Sequence, residues 1–165
     1  MCRIIRKAFK RVLDCNKYHS SLHYRIMQYW LLKTEPEEWS WKDQVKCGSK
    51  GSLWDGVKNY QARNNLKKMS YGDQSFFYHT GKEKRIVGIV KIIKEYFPDK
   101  NDKTGKFVSI MVRSHKNFKL PVSLDNIRRH SLLRHLPLLK QSRLSVMMVD
   151  LKSWKIICKM GRISM

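Results

Sequence analysis

Ser52-Leu53-Trp54-Asp55-Gly56-Val57-Lys58-Asn59-Tyr60-Gln61-Ala62-Arg63-Asn64-Asn65 sets aromatic, amide and cationic side chains around one turn at Asp55-Gly56. That mixture suits gripping a planar polar ligand better than it suits building a core. Trp54 stands outside any clear apolar period, so it is a weaker candidate for the core than Trp30 or Trp154. An indole can stack on any base, which contributes roughly 1–3 kcal/mol per base in single-strand binders. Stacking alone does not select. Asn59 can offer a donor and an acceptor to a base edge, while Lys33 and Arg143 donate to a carbonyl or a phosphate without accepting.

Upstream of this stretch lies Tyr29-Trp30-Leu31-Leu32-Lys33-Thr34-Glu35-Pro36, and downstream Gln141-Ser142-Arg143-Leu144-Ser145-Val146. In this order the three segments resemble the EVE domain, a member of the PUA-like superfamily similar in design to YTH domains. The resemblance runs from about Met27 to about Gly161. It implies an α+β fold, a PUA-like curled mixed or antiparallel β-barrel flanked by short helices. It further implies a non-catalytic reader of modified bases, chiefly modified cytosine in DNA, as YTH domains hold N6-methyladenine in RNA. A PUA-like module for structured or modified RNA is the alternative. Within the resemblance Lys33 stands in the first segment, and Trp54 aligns with a wall of the YTH aromatic cage. Asn59 and Tyr60 lie in the intervening turn and helix, and Ser142 and Arg143 lie in the closing segment near the pocket. Phe97 or Phe107 is the candidate second wall.

The 165 residues are enough for one domain with a real core. A formal charge of +22 favours polyanions through counterion release and electrostatic steering, with nucleic acid the leading partner. A lysine-rich proteome is the competing account of that charge. Residues 1–26 hold seven Lys or Arg against one acid and contribute +6, which leaves +16 on the rest of the chain. Candidate phosphate contacts are Lys67, Lys68, Lys82, Lys84, Arg85, Arg128 and Arg129. The division expected is a basic extension over 1–26, the domain over 27–161 and a short tail over 162–165. The extension reads as an upstream stretch from a miscalled start, as a phosphate-touching arm, or as a targeting peptide, since its acid-poor amphipathic pattern lacks a secretory apolar run.

Coarse structure follows from the periods. Gln28–Lys33 reads as a buried strand, residues 37–45 as a short helix, 47–51 as a loop and 60–69 as a second helix. Gln74–His79 and Arg85–Tyr96 read as strands, with Gly88 permitting a bulge or a close backbone approach. A polar loop over 98–105 precedes a partner strand over 107–112, and Ser123 and Asp150 are placed to cap helices, the second stopping at Gly161.

Catalytic readings fare worse. Glu35, Glu37 and Glu38 cluster at an expected helix start, where carboxylates serve as caps or dipole partners. Cys47 with His79 lacks the sequence context of an activated nucleophile, and residues 48–52 depart from the spacing of a phosphate-binding loop. Cys2, Cys15, Cys47 and Cys158 contain no CxxC pair, so reduced thiols in a cytosol or nucleoid are expected, or in a nucleus or organelle if the source is eukaryotic. Cys15, His19 and His23 share helical spacing, which chance explains. No apolar stretch approaches the ~20 residues that cross a bilayer, and neither a cofactor nor a metal is expected. The oligomeric state is open.

Overall fold

A computed structural model describes residues 26–164, so the readings of the basic extension and of Cys15, His19 and His23 lie outside the described residues. In chain order the elements are β1 (Tyr29–Thr34), α1 (Trp41–Lys46), β2 (Ser52–Trp54), α2 (Tyr60–Leu66), β3 (Gln74–His79) and β4 (Arg85–Pro98). There follow β5 (Val108–Ser123), α3 (Leu124–Arg129), α4 (Pro137–Lys140), β6 (Val146–Val149) and α5 (Leu151–Met160). The strands form one six-stranded sheet in the order β2-β5-β4-β3-β1-β6. Only β1 and β3 run parallel, so the class is α+β with a mixed sheet. Among the described residues the ladder begins at β2 and ends at β6, with no hydrogen-bonded pair joining those edges.

Two neighbouring residues of β3 divide the core. Side chains alternate across a strand, so Phe76 and Phe77 point to opposite faces. The Phe76 ring stacks on Trp154 of α5 at 3.9 Å, and Phe77 meets the edges of Trp41 at 5.1 Å and Trp54 at 5.6 Å. One layer thus lies beneath α5 and the other beneath α1 and β2. Trp30 is fully buried in this core, and its indole Nε1 donates to Asp73 at 3.0 Å. Among the described residues no helix is long and apolar enough to cross a membrane.

Several expected boundaries are corrected. The helix expected over 37–45 starts at Trp41, because Ser40 Oγ accepts from Asp43 N and caps it there. The preceding residues form a turn in which Glu35 O accepts from the amides of Glu38 and Trp39. Residues 48–50 are a 3₁₀ turn where a loop was expected, and Ser52–Trp54 is a strand paired to β5. The partner strand does not stop at Val112 but continues as β5 to Ser123, bent by register shifts against β4. Gly88 sits at one such shift, and a Cβ there would lie 2.3 Å from the Trp41 ring, which is the close approach anticipated for it. Ser123 and Asp150 cap α3 and α5 by accepting from the amides of Asn126 and Ser153.

Candidate nucleic-acid interface

All three of the sequence segments quoted above line a single cavity of about 650 Å³. Lys33 and Thr34 reach it from the end of β1, Glu38 and Trp39 from the turn before α1, residues 52–59 from β2 and its loop, and Arg143 and Ser145 from the run into β6. Its size falls in the range of small-ligand sites, which span roughly 300–1,000 Å³. Arg143 also borders two smaller depressions, of about 270 and 290 Å³, that extend the first past Ser142 toward Gln61 and Lys140.

Backbone and side-chain bonds fix the walls. Lys33 N donates to Ser145 O at 2.9 Å, and Lys33 Nζ donates to Ser142 O at 3.1 Å, so the first and closing segments are tied together. Burial lowers the Lys33 ammonium below its ordinary pKa, as expected for a cation drawn partly out of water. The Asp55-Gly56 turn is held from across the fold, where Gly56 N donates to Asp99 Oδ2 and Asn101 Nδ2 to Asp55 Oδ2, each at 3.2 Å. Gly56 has φ +69, a left-handed backbone that glycine adopts without strain. Asn59 Oδ1 accepts from Ala62 N at 2.9 Å and caps α2, leaving its amide NH₂ as the group with hydrogen-bonding capacity toward the cavity.

Trp54 does two jobs. The residue is 6% exposed, its ring packs edge-on against Phe77, and it still borders the cavity, so it is a core residue as well as a wall. The second aromatic residue at the cavity is Trp39, which lies in the turn before α1 and not in the helix expected over 37–45. Trp39 Nε1 donates to Oε1 of the buried Gln44 at 3.0 Å, and Ser52 Oγ donates to the same oxygen at 2.7 Å. Neither Phe97 nor Phe107 borders the cavity. Phe107 packs against Tyr60 at 5.3 Å and Phe97 lies beneath the Lys94 ammonium. Tyr60 does not line the cavity either. It is half exposed, with the Arg63 guanidinium 4.9 Å from its ring centre.

The seven expected phosphate contacts lie outside these depressions, whose cations are Lys33, Lys58, Lys140 and Arg143. Lys67 sits over the Tyr96 ring and is followed by Lys68, while Lys82 and Lys84 belong to the β3–β4 connection. Arg85 pairs with Glu83 at 2.9 Å and Arg128 with Asp125 at 2.6 Å, beside Arg129. The Cys47–His79 pairing does not form. His79 Nε2 accepts from Trp41 N and its Nδ1 faces Glu83 at 2.6 Å, while Cys47 Sγ contacts Asp43 O. Among the described residues there is no group of three metal-ligating side chains.

The profile of the family described as the EVE domain matches residues 28–160. Human thymocyte nuclear protein 1 is 37% identical over 107 residues, covering 56% of this chain and 48% of that protein. The chicken protein of the same name is 48% identical over 81 residues, covering 43% of this chain and 34% of its own length. The chain thus spans about half or less of these curated relatives. Among solved structures, a Rhodopseudomonas palustris protein determined by NMR is 44% identical with a TM-score of 0.78, covering 82% of this chain and 93% of that one. The human THYN1 protein in complex with 5-methylcytosine-containing DNA is 26% identical with a TM-score of 0.74, covering 84% and 99%. A Zygosaccharomyces rouxii YTH domain, 14% identical with a TM-score of 0.51, shares the fold.

Proposed function

The chain belongs to the EVE domain family, and from that premise we propose that it is a non-catalytic module that binds nucleic acid by taking a modified base, with modified cytosine in DNA favoured, into the cavity between β1, β2 and the run into β6. The observation that carries this reading is the convergence of two indoles, Trp39 and Trp54, with Lys33, Asn59 and Arg143 on one concave surface. Aromatic faces supply stacking that any base accepts, and the polar groups supply orientation. Glu38 adds a carboxylate acceptor for an exocyclic amine.

Extruding a base from a duplex costs a few kcal/mol, about what stacking returns, so the cavity alone would bind weakly. Arg143, Lys58 and Lys140 at the cavity mouths supply charge for the flanking phosphates, and the wider basic surface supplies salt-dependent affinity. The complex of the human THYN1 protein with 5-methylcytosine DNA supports the assignment to DNA. Titration of the full chain with 5-methylcytosine DNA and with RNA of matched length and sequence tests it. Tighter binding of the modified DNA is expected. Equal or tighter binding of RNA would replace this reading with that of an RNA-binding module.

A further inference from the structure

The face of the sheet that carries α5 is cationic and has no part in the cavity. The sequence contains no Asp or Glu from Lys103 to Leu124, nor after Asp150. The first of those runs contains all of β5 and the second all of α5. In the β4–β5 ladder Lys91 pairs with Arg113, Val90 with Ser114 and Ile89 with Lys116, so His115 is an extra residue in β5. A bulge of this kind re-aims side chains. Here it brings Arg113 and Lys116, three apart in sequence, to the same face as Lys91.

That face is the one under α5. Ile89 pairs with Phe76, whose ring stacks on Trp154. Trp54 pairs with Ile110, and since residues alternate along β5, Arg113 projects away from the side on which Trp54 meets Phe77. On α5, Trp154, Ile157 and Cys158 are buried while Lys152, Lys155 and Lys159 are exposed, at the i, i+3, i+7 spacing of one helix face. None of these six cations has an ion pair among the described residues, although Lys116 Nζ donates to Ser164 O. The carboxylates at its borders are occupied: Glu95 accepts from Tyr71 N, and Asp150 caps α5 and faces His135. Burial, with Lys116, Lys91 and Arg113 close by, holds the His115 imidazole below its ordinary pKa, as expected where like charges gather without a counterion.

We propose that this α5 face, built from Lys91, Arg113, Lys116 and the exposed lysines of α5, is a second nucleic-acid contact that grips the phosphate backbone of a segment other than the one whose base enters the cavity. The proposal rests on the nucleic-acid reading above and extends it to two contacts on opposite sides of one sheet. Such a surface reads no sequence, and its contribution is salt-dependent.

The test neutralises Arg113→Gln, Lys155→Gln and Lys159→Gln together in the full chain, with thermal unfolding as the control for folding. Binding of an unmodified DNA duplex and of its 5-methylcytosine counterpart is measured across a salt series. Both affinities should fall by about tenfold or more at low salt, the log-log salt slope should become shallower by about two to three, and the ratio of the two affinities should stay as in the wild type. A wild-type slope and affinity would overturn the proposal. So would loss of binding to phosphatidylserine vesicles with DNA binding intact, which would assign the face to a membrane. Absence of any preference for 5-methylcytosine, with the slope still reduced, would refute the base-reading cavity and leave the α5 surface standing.

Discussion

The indole of Trp39 is held by the amide of Gln44, with Nε1 to Oε1 at 3.0 Å, and the same oxygen accepts from Ser52 Oγ at 2.7 Å. Gln44 is fully buried and its Nε2 donates to Val112 O at 3.4 Å. One side chain thus joins the turn before α1, strand β2 and strand β5 behind the cavity. Gln44→Leu would strand two donors and a carbonyl, at about 1–3 kcal/mol for each group left buried without a partner. Denaturant unfolding should show a loss of at least ~2 kcal/mol. Unchanged stability would mean that Trp39 and Ser52 find other partners.

Because Trp54 serves the core as well as the cavity, Trp54→Ala should cost about 3–5 kcal/mol of stability, as large aromatic deletions do. Trp54→Phe keeps a ring against Phe77 and should cost less. Binding compared at equal folded concentration should still weaken by roughly 1–3 kcal/mol for the alanine variant through loss of a stacking face. Wild-type affinity in that folded variant would make Trp54 purely structural.

Gly88 and Trp41 form a coupled pair, since a Cβ on Gly88 would lie 2.3 Å from the Trp41 ring. Trp41 Nε1 also donates to Asn117 Oδ1 at 3.0 Å, which limits how far the ring can yield. Gly88→Ala should therefore destabilise by about 1–3 kcal/mol through overpacking, and by less in a Trp41→Leu background. Strictly additive losses in the double-mutant cycle would contradict this.

Asp150 sets a pH dependence. Burial raises its carboxyl pKa, but hydrogen bonds from His135 and Ser153 outweigh that and bring it down from 3.8 to about 2. A folded-state pKa below the unfolded one contributes stability that is complete above the unfolded value and is lost as pH falls through the folded one. The melting temperature should decline between pH ~4 and ~2, and Asp150→Ala should flatten that decline. At neutral pH the same variant should lose about 0.5–2 kcal/mol with the α5 cap. An unaltered acid profile would show that the cap bonds do not form.

Legibility in the sequence followed pattern strength. β1, β3 and the first part of β4 are continuous apolar runs, and the helices after Ser123 and Asp150 carry side-chain caps, so their positions were readable. β2 has three residues inside a segment whose side chains suggest a ligand, and nothing local marks it as paired to β5. The distal half of β5 lies past the end expected for the partner strand, because polar and cationic residues interrupt its apolar pattern and a bulge breaks the alternation at His115. For the site, Lys33, Trp54, Asn59 and Arg143 were nameable because each carries its own chemistry. Trp39 was not, since its place depends on Gln44 and on a helix that starts at Trp41, four residues after the start its carboxylates suggest.

Selection of a modified base by the cavity is read from the ratio of affinities of the full chain for two oligonucleotides differing only in 5-methylcytosine against cytosine. Salt is fixed, and a Trp39→Ala variant is measured alongside. Wild type should bind the methylated strand more tightly, and the ratio should move toward one in the variant while the response to salt stays the same. Equal affinities in the wild type, or a ratio untouched by Trp39→Ala, would contradict it.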